Sequence, residues 1–139
     1  MSQPSSNRPT PKESQFVDTR PFWAGVRAGK LVLQYCRDSG RFQHYPHPVS
    51  IYTGRRNLEW REVSGKGTIY SWTIVRVPGP GLEGRLPLAV ALVQLDEGVR
   101  IIGNILDRKP EEVRIGQRVA LAWDKLDDGT PYPAFKIAD

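Results

Sequence analysis

The chain has 139 residues, of which 39% are apolar and 25% are charged, and its formal net charge is +5. These proportions are typical of a soluble globular protein and exclude disorder over most of the chain. No apolar run approaches the ~18 residues that span a bilayer, and the first fifteen residues lack the apolar region of a secretory signal. The single cysteine excludes an internal disulfide and favours a cytoplasmic location.

The positive charge is concentrated in the first part of the chain. Residues 1–57 carry a net charge of +6, whereas residues 58–139 carry −1. We therefore expect any contact with an acidic partner or with phosphates to involve the first part.

The N-terminal region predicts an arm followed by a short helix. Residues 1–15 are rich in Ser, Pro, Gln and Asn and predict an arm that is disordered or ordered only by a partner. Asp18 and Thr19 are candidate caps of a helix within residues 16–29, and Gly29 is suited to end it. A helix this short must dock on another surface, and its apolar face predicts contacts with a partner protein through Phe22, Trp23 and Val26.

Two similar turns follow, at C36-R-D-S39-G40 and S50-I-Y-T53-G54. A zinc ribbon uses two C-x-x-C-G turns about a dozen residues apart, each of which directs two sulfur atoms at one metal. Here three of the four ligand positions are hydroxyl residues, which are poor zinc ligands. The spacing predicts a degenerate ribbon without metal, with Cys36, Ser39, Ser50 and Thr53 at the former ligand positions. Two ordinary glycine turns are an equally good interpretation.

Cys36 also allows two sharper hypotheses. Together with His44 and His47 it provides one sulfur and two nitrogen ligands for an open zinc site, although the two histidines point to opposite faces of an extended strand. A catalytic Cys–His pair is the other hypothesis, but no oxyanion-hole loop is recognisable nearby. We therefore predict neither a metal site nor a catalytic residue.

From Leu58 onward the sequence has the alternation of β-strands. LEWREVSG and GTIYSWTIVRV predict a hairpin around Ser64–Gly67, and LAVALVQL and VRIIGNIL predict another around Asp96–Gly98. The Gly- and Pro-rich segment Pro78–Pro87 predicts an exposed, mobile loop. Roughly five or six antiparallel strands of this length close as a small barrel, and an OB-fold fits best. The prediction is a mainly β protein with an arm (1–15), a helix and metal-free ribbon (16–57) and an OB-fold barrel (58–139).

Several segments together resemble a bacterial and archaeal family that was long catalogued as a domain of unknown function. They are the FW pair, GKLVLQYC with the following D-S-G-R-F, PVS, LEWREVSGKGTIYSWTIV and RIGQRVALAW, which span residues 16–138. Members of that family join a rubredoxin-like zinc ribbon to an OB-fold. They accompany thiolases, lipid-transfer-protein-like aldolases and related acyl-CoA enzymes as non-catalytic subunits or fused domains. Where the family has four cysteines this chain has only Cys36, which removes the family's zinc.

The resemblance implies an accessory subunit in lipid metabolism that binds or routes acyl-CoA and docks on a thiolase-like or aldolase partner. Coenzyme A or acyl-CoA is then the expected ligand, and no bound cofactor is expected. Five cations of the first part are candidate contacts for the coenzyme A phosphates. They are Arg27, Lys30, Arg41, Arg55 and Arg56. The partner's identity, the acyl chain and the oligomeric state, including a homo-oligomer, stay open.

The alternative is a single-stranded nucleic-acid binder, which needs stacking aromatics in a basic groove. The barrel segment supplies the aromatics Trp60, Tyr70, Trp72, Trp123, Tyr132 and Phe135. Its net charge of −1 has the wrong sign for binding phosphates, so we expect no nucleic acid. A free-standing enzyme acting on acyl-CoA is the third hypothesis, and we expect no turnover by the isolated chain.

Overall fold

The computed structural model describes residues 7–10 and 19–138. Within these ranges one helix, eight strands and two short 3-10 turns follow one another along the chain. Their bounds are α1 Arg20–Arg27, β1 Val32–Cys36, β2 Arg41–Gln43, β3 Leu58–Glu62, β4 Gly67–Val75, a 3-10 turn at Glu83–Arg85, β5 Leu88–Leu95, β6 Arg100–Asn104, a second 3-10 turn at Pro110–Glu112, β7 Arg118–Lys125 and β8 Pro131–Ile137.

The strands form two antiparallel sheets. The first has the order β2-β1-β3, and the second has the order β6-β5-β4-β7-β8. A parallel bridge between Ile105 and Phe135 joins the outer strands of the second sheet and closes it into a barrel. A five-stranded, partly open barrel of this kind is the OB-fold, so the predicted mainly β class and the OB-fold are confirmed.

The hairpin predicted around Ser64–Gly67 is wrong. Strand β3 pairs with β1, with Val32 opposite Glu62 and Cys36 opposite Leu58. The segment between β3 and β4 carries the chain from one sheet to the other. The predicted boundary between the ribbon (16–57) and the barrel (58–139) therefore separates β3 from the three-stranded sheet in which it pairs. The hairpin around Asp96–Gly98 is confirmed by the pairing of β5 with β6.

The two sheets share one hydrophobic core. Leu31, just before β1, and Leu33 of β1 lie in the same buried cluster as Ile69, Val93 and Phe135 of the barrel. Burial of a leucine side chain stabilises a fold by about 2 kcal/mol, so this shared cluster holds the three-stranded sheet firmly against the barrel.

The helix is shorter than the segment predicted to contain it. It begins after Thr19, whose side chain makes no capping hydrogen bond, and Gly29 follows its end with φ +74°. Asp18, the other predicted cap, lies outside the described residues. No helix in the described part of the chain is long and apolar enough to cross a bilayer.

Two segments predicted to be loosely held are attached to the barrel. Thr10 donates hydrogen bonds from N and Oγ1 to Asp127 Oδ1 (3.0 and 2.7 Å), and Asp127 N donates to Arg8 O (2.9 Å). Residues 7–10 of the predicted arm thus contact the barrel, and the rest of the arm lies outside the described residues. In the Pro78–Pro87 loop, predicted as exposed, Leu82 is buried and Arg85 forms an ion pair with Asp124 (2.8 Å).

The crossing from β3 to β4 depends on Gly65. Its φ is +75°, and a Cβ at this position would overlap the side chain of Leu121. We expect Gly65→Ala to lower the free energy of unfolding by about 2 kcal/mol or more, because strain and overlap add. Urea denaturation measures this loss. Gly29→Ala is the matched control, since Gly29 has φ +74° with open space around it and suffers the strain alone. Equal losses in the two variants would contradict this account of Gly65.

Candidate functional site

An apolar cleft of about 210 Å³ lies where the helix, the segment after β2 and the barrel meet. Its walls come from α1, from the chain following β2, and from strands β6 and β8. The lining residues are Thr19, Phe22, Trp23, His44, Tyr45, Pro46, Ile101, Ile102, Tyr132 and Pro133.

Stacked rings shape one side of the cleft. Trp23 stacks on Tyr132 of β8, with ring centroids 6.2 Å apart and an angle of 22° between planes. Phe22 meets Trp23 edge to face at 5.5 Å, and His44 lies 6.1 Å from Phe22. Aromatic pairs at these distances attract each other beyond their burial, so the Trp23–Tyr132 pair holds α1 on the barrel and the Phe22–His44 pair holds it against the chain after β2.

His44 is the histidine of this cleft. Burial lowers the pKa of its imidazole from 6.5 to about 4, because the charged form loses hydration among aromatic neighbours. The ring is therefore neutral near pH 7, and the cleft presents an uncharged surface.

The apolar surface extends beyond the cleft. Ile102 also lines a groove on the barrel with Leu92, and Tyr45 lines a further groove with Leu92 and Ile51. Ile102, Tyr45 and Ile51 are 54%, 57% and 57% exposed. We call the continuous surface formed by Trp23, Tyr45, Ile51, Leu92, Ile102 and Tyr132 the apolar band. Exposed apolar patches of this kind mark interaction sites.

The sequence analysis placed partner contacts on Phe22, Trp23 and Val26. Phe22 and Trp23 do line the cleft. Val26 as a partner contact is wrong, because its side chain is fully buried within the chain itself. The sequence analysis did not identify Ile102 as a surface residue of this site. The alternation along β6 contains the signal, since Ile101 faces the core while Arg100 and Ile102 on either side of it face outward.

The two turns with ribbon spacing have the same backbone geometry. Gly40 N donates to Cys36 O, and Gly54 N donates to Ser50 O, both at 2.9 Å. Gly40 and Gly54 have φ of +68° and +73°, values that glycine adopts without strain. The two turns therefore share this hydrogen bond and a glycine in the left-handed conformation.

Cys36 has hydroxyl partners and no imidazole partner. Ser50 Oγ donates to its sulfur at 3.1 Å, and Ser39 N donates at 3.4 Å. Hydrogen bonds from Ser39 and then Ser50 lower the pKa of the buried thiol to about 7, although burial acts in the opposite direction. Within residues 7–10 and 19–138 no three His, Cys, Asp or Glu side chains are grouped as metal ligands. His44 lies in the cleft, and His47 bonds through its backbone to Gln34.

The five candidate cations do not lie together. Arg41 lies opposite Cys36 in the sheet register, and Asn57, next to Arg56, accepts a hydrogen bond from Arg37 N (3.0 Å). Arg41, Arg55 and Arg56 therefore lie near the Cys36 end of β1. Arg27 and Lys30 precede the other end of that strand, roughly 20 Å away at ~3.3 Å per residue. Thus one phosphate group cannot contact all five.

The aromatics proposed for base stacking are also dispersed. Phe135 is fully buried in the barrel core, so its role as a stacking platform is wrong. One face of the Tyr132 ring is stacked against Trp23, and the guanidinium of Arg100 lies over the Tyr70 ring at 3.6 Å from its centroid.

Comparisons with known proteins place the chain among relatives. A family model for the C-terminal OB-fold domain of ChsH2 matches residues 60–124. A DUF35 domain-containing scaffold protein of Methanocaldococcus jannaschii is 40% identical over 113 residues, which cover 77% of this chain and 79% of the relative. A protein of the same description from Pyrococcus furiosus is 37% identical over 105 residues, with 76% and 77% covered. The chain belongs to the DUF35 family.

Other similar proteins carry the names of enzymes. A probable enoyl-CoA hydratase alpha subunit of Thermomonospora curvata is 30% identical over 137 residues, which cover 98% of this chain but only 42% of that subunit. In a solved structure described as "Ltp2-ChsH2(DUF35) aldolase", one chain is similar with a TM-score of 0.81 and 29% identity. That match covers 95% of this chain and 100% of the other.

The half-buried imidazole of His44 predicts a specific pH dependence of stability. Its folded-state pKa is about 4, below the value of 6.5 expected when unfolded, so the unfolded chain binds more protons between these values. The free energy of unfolding should therefore rise between pH 4 and pH 6.5, with up to about 3 kcal/mol from this group.

Thermal unfolding of the wild type and of His44→Gln across this pH range measures the contribution of His44. The carboxyl groups affect the stability of both proteins equally, so the difference between the two curves is due to the histidine. His47→Gln is the control because that side chain is exposed. Parallel curves for wild type and His44→Gln would contradict the neutral, half-buried imidazole.

Proposed function

We propose that this protein is a non-catalytic accessory subunit that docks on an acyl-CoA-processing enzyme and helps to bind or route the acyl-CoA. The observation that carries the proposal is the match, over 95% of this chain, to the entire length of a DUF35 chain from a structure described as an aldolase. A thiolase-like or lipid-transfer-type aldolase subunit is the proposed partner.

The apolar band supports docking. Ile102 and Tyr45 are large side chains, more than half exposed, beside a cleft with aromatic walls. The core of a protein interface is depleted in charge and enriched in aromatic residues, as this surface is. Ile102 and Tyr132 of the band stand on strands β6 and β8 of the barrel, which limits the ordering cost of association.

The side chains in the described part of the chain support a non-catalytic role. Cys36 is fully buried and bonded to serines, so it lacks both access to substrate and a general base. The hydratase subunit of Thermomonospora curvata extends well beyond the matched region, and its activity is that of a longer protein. We expect catalysis to come from the partner.

Arg41, Arg55 and Arg56 are the proposed contacts for the phosphates of coenzyme A. They lie at one end of the three-stranded sheet, and the guanidinium of Arg41 is held over the Tyr52 ring at 4.1 Å. An arginine held in this way loses less side-chain entropy when it binds an anion. Arg27 and Lys30, at the opposite end, are the comparison group.

The docking proposal predicts that Ile102→Asp weakens the complex. A charge at the centre of an apolar interface must be desolvated without a partner, and we expect at least ~30-fold weaker binding, corresponding to about 2 kcal/mol. Affinity capture from the native host, with the captured enzyme identified by mass spectrometry, finds the partner. Titration of the purified proteins then gives the dissociation constant.

Ile115→Asp is the matched control, because Ile115 is 69% exposed and does not line the band. Circular dichroism checks that both variants stay folded. Equal affinity of the Ile102 variant and wild type would place the docking surface elsewhere. Capture of a nucleic-acid-binding assembly instead of an acyl-CoA enzyme would reject the proposed function.

The phosphate proposal predicts that the double variant Arg55→Glu, Arg56→Glu weakens coenzyme A binding by the complex at least tenfold, since like charges replace attractive ones. Isothermal titration with coenzyme A measures this. The variant Arg27→Glu, Lys30→Glu makes the same change of net charge at the other end and should bind almost normally. A larger loss in this second variant would move the phosphate site to the helix.

A further inference from the structure

Zinc is implied by the family resemblance, and the donor set of this chain does not fit it. A structural zinc site uses four ligands drawn from thiolates and imidazoles. Here the four positions offer one thiol and the hydroxyls of Ser39, Ser50 and Thr53. Neutral hydroxyls would have to lose protons of very high pKa to serve as ligands. The turns must therefore be held together in another way.

The sulfur of Cys36 is the first part of that arrangement. It accepts hydrogen bonds from the first turn, through Ser39 N, and from the second, through Ser50 Oγ. Ser50 Oγ in turn accepts from Tyr52 N (3.1 Å) and Thr53 N (3.3 Å). One sulfur and one hydroxyl thus join both turns and satisfy two backbone N–H groups of the second.

Gln34, on β1, is the second part. Its Nε2 donates to His47 O and its Oε1 accepts from His47 N, both at 2.9 Å. A primary amide bonded twice to one residue imitates the pairing of a neighbouring strand. The side chain is 5% exposed, so these bonds replace water entirely.

Gln43, on β2, completes the arrangement. Its Nε2 donates to Gln34 Oε1 (2.7 Å) and Val49 O (3.2 Å), and its Oε1 accepts from Ile51 N (2.9 Å). It is 1% exposed. The two glutamines therefore fasten the chain on both sides of Pro48 to the β1–β2 hairpin, and Tyr52 adds a bond from its hydroxyl to Phe42 O (2.7 Å).

We propose that a buried hydrogen-bond network of Cys36, Ser50, Gln34 and Gln43 takes the place of the zinc ion and makes this chain independent of metal. Every bond in it is between neutral partners or to the single sulfur. The network joins the same two turns that an ion would join, and it extends further, to residues 47–51. The second turn is thereby held in place without a zinc ion. A site of four thiols would need a reducing environment and a supply of zinc.

The first experiment measures metal and stability on the full chain, purified without a metal-binding tag. Elemental analysis should find less than 0.1 zinc per chain, a threshold set well below the one ion of a filled ribbon site. The melting temperature should shift by less than about 1 °C when a strong chelator or excess zinc is added, because a ligand stabilises only the state it binds. One zinc per chain, or a melting temperature lowered by the chelator, would overturn the proposal.

The second experiment tests the glutamines. Gln43→Leu has a similar volume but removes all three amide bonds and leaves buried backbone groups without partners. We expect its melting temperature to fall by at least ~5 °C. Gln94→Leu is the control, since that amide lies on the barrel and accepts from Arg100. A Gln43 variant as stable as the control would overturn the role of the network, and so would one whose stability zinc restores.

Where Gln43→Leu fails to fold, Ser50→Ala is the milder variant. It removes the Ser50 hydroxyl from Cys36 and from the two backbone donors it satisfies. The network then predicts a melting temperature lowered by a few degrees and unaffected by zinc. An unchanged melting temperature would count against the proposal.

Discussion

Burial of Leu31 and Leu33 in the core of the barrel is the contact on which the other features depend. It sets the three-stranded sheet against the OB-fold and so fixes the distance between the chain after β2 and strands β6 and β8. The cleft exists because these elements approach without filling the space, and α1 closes one side through its rings. Without the shared leucines, the helix, the turns and the barrel would each expose an apolar face.

The molecule places two kinds of surface side by side. The apolar band runs from the cleft to Ile51 in the second glycine turn, and the cations Arg41, Arg55 and Arg56 lie next to that end of the band. A partner that covers the band would leave these cations at its border. For the proposed accessory subunit, association and ligand contact would then use neighbouring but different side chains.

The sequence predicted most of the barrel because its strands have strong local signals. Asp96–Gly98 has the residues of a tight turn between two apolar strands, and β5 and β6 pair as expected. Strand β3 was assigned to the wrong partner because strands that are adjacent in sequence usually pair. Nothing in the sequence LEWRE shows that this strand pairs with β1 and not with β4. Val26 was assigned to a partner because periodicity identifies an apolar face without showing what covers it.

The candidate site was harder to predict for the same reason. Ile102 and Tyr45 are distant in sequence, and only the packing of two sheets brings them to one surface. The roles of Gln34 and Gln43 also depend on tertiary contacts, since a glutamine in a short strand ordinarily faces water. Cys36 was recognised from spacing, but its hydrogen-bond partners became visible only when both turns were in place.

The closure of the barrel bears on how the band would respond to a bound protein. Ile102 stands on β6, whose end meets β8 at a single parallel bridge, supported by the hydrogen bond from Leu106 N to Phe135 O (3.0 Å). A junction with so few backbone bonds is the place where a small barrel opens first. A protein bound on the band would stabilise this junction from outside, so the amide protons beside it would exchange more slowly in such a complex than in the isolated chain.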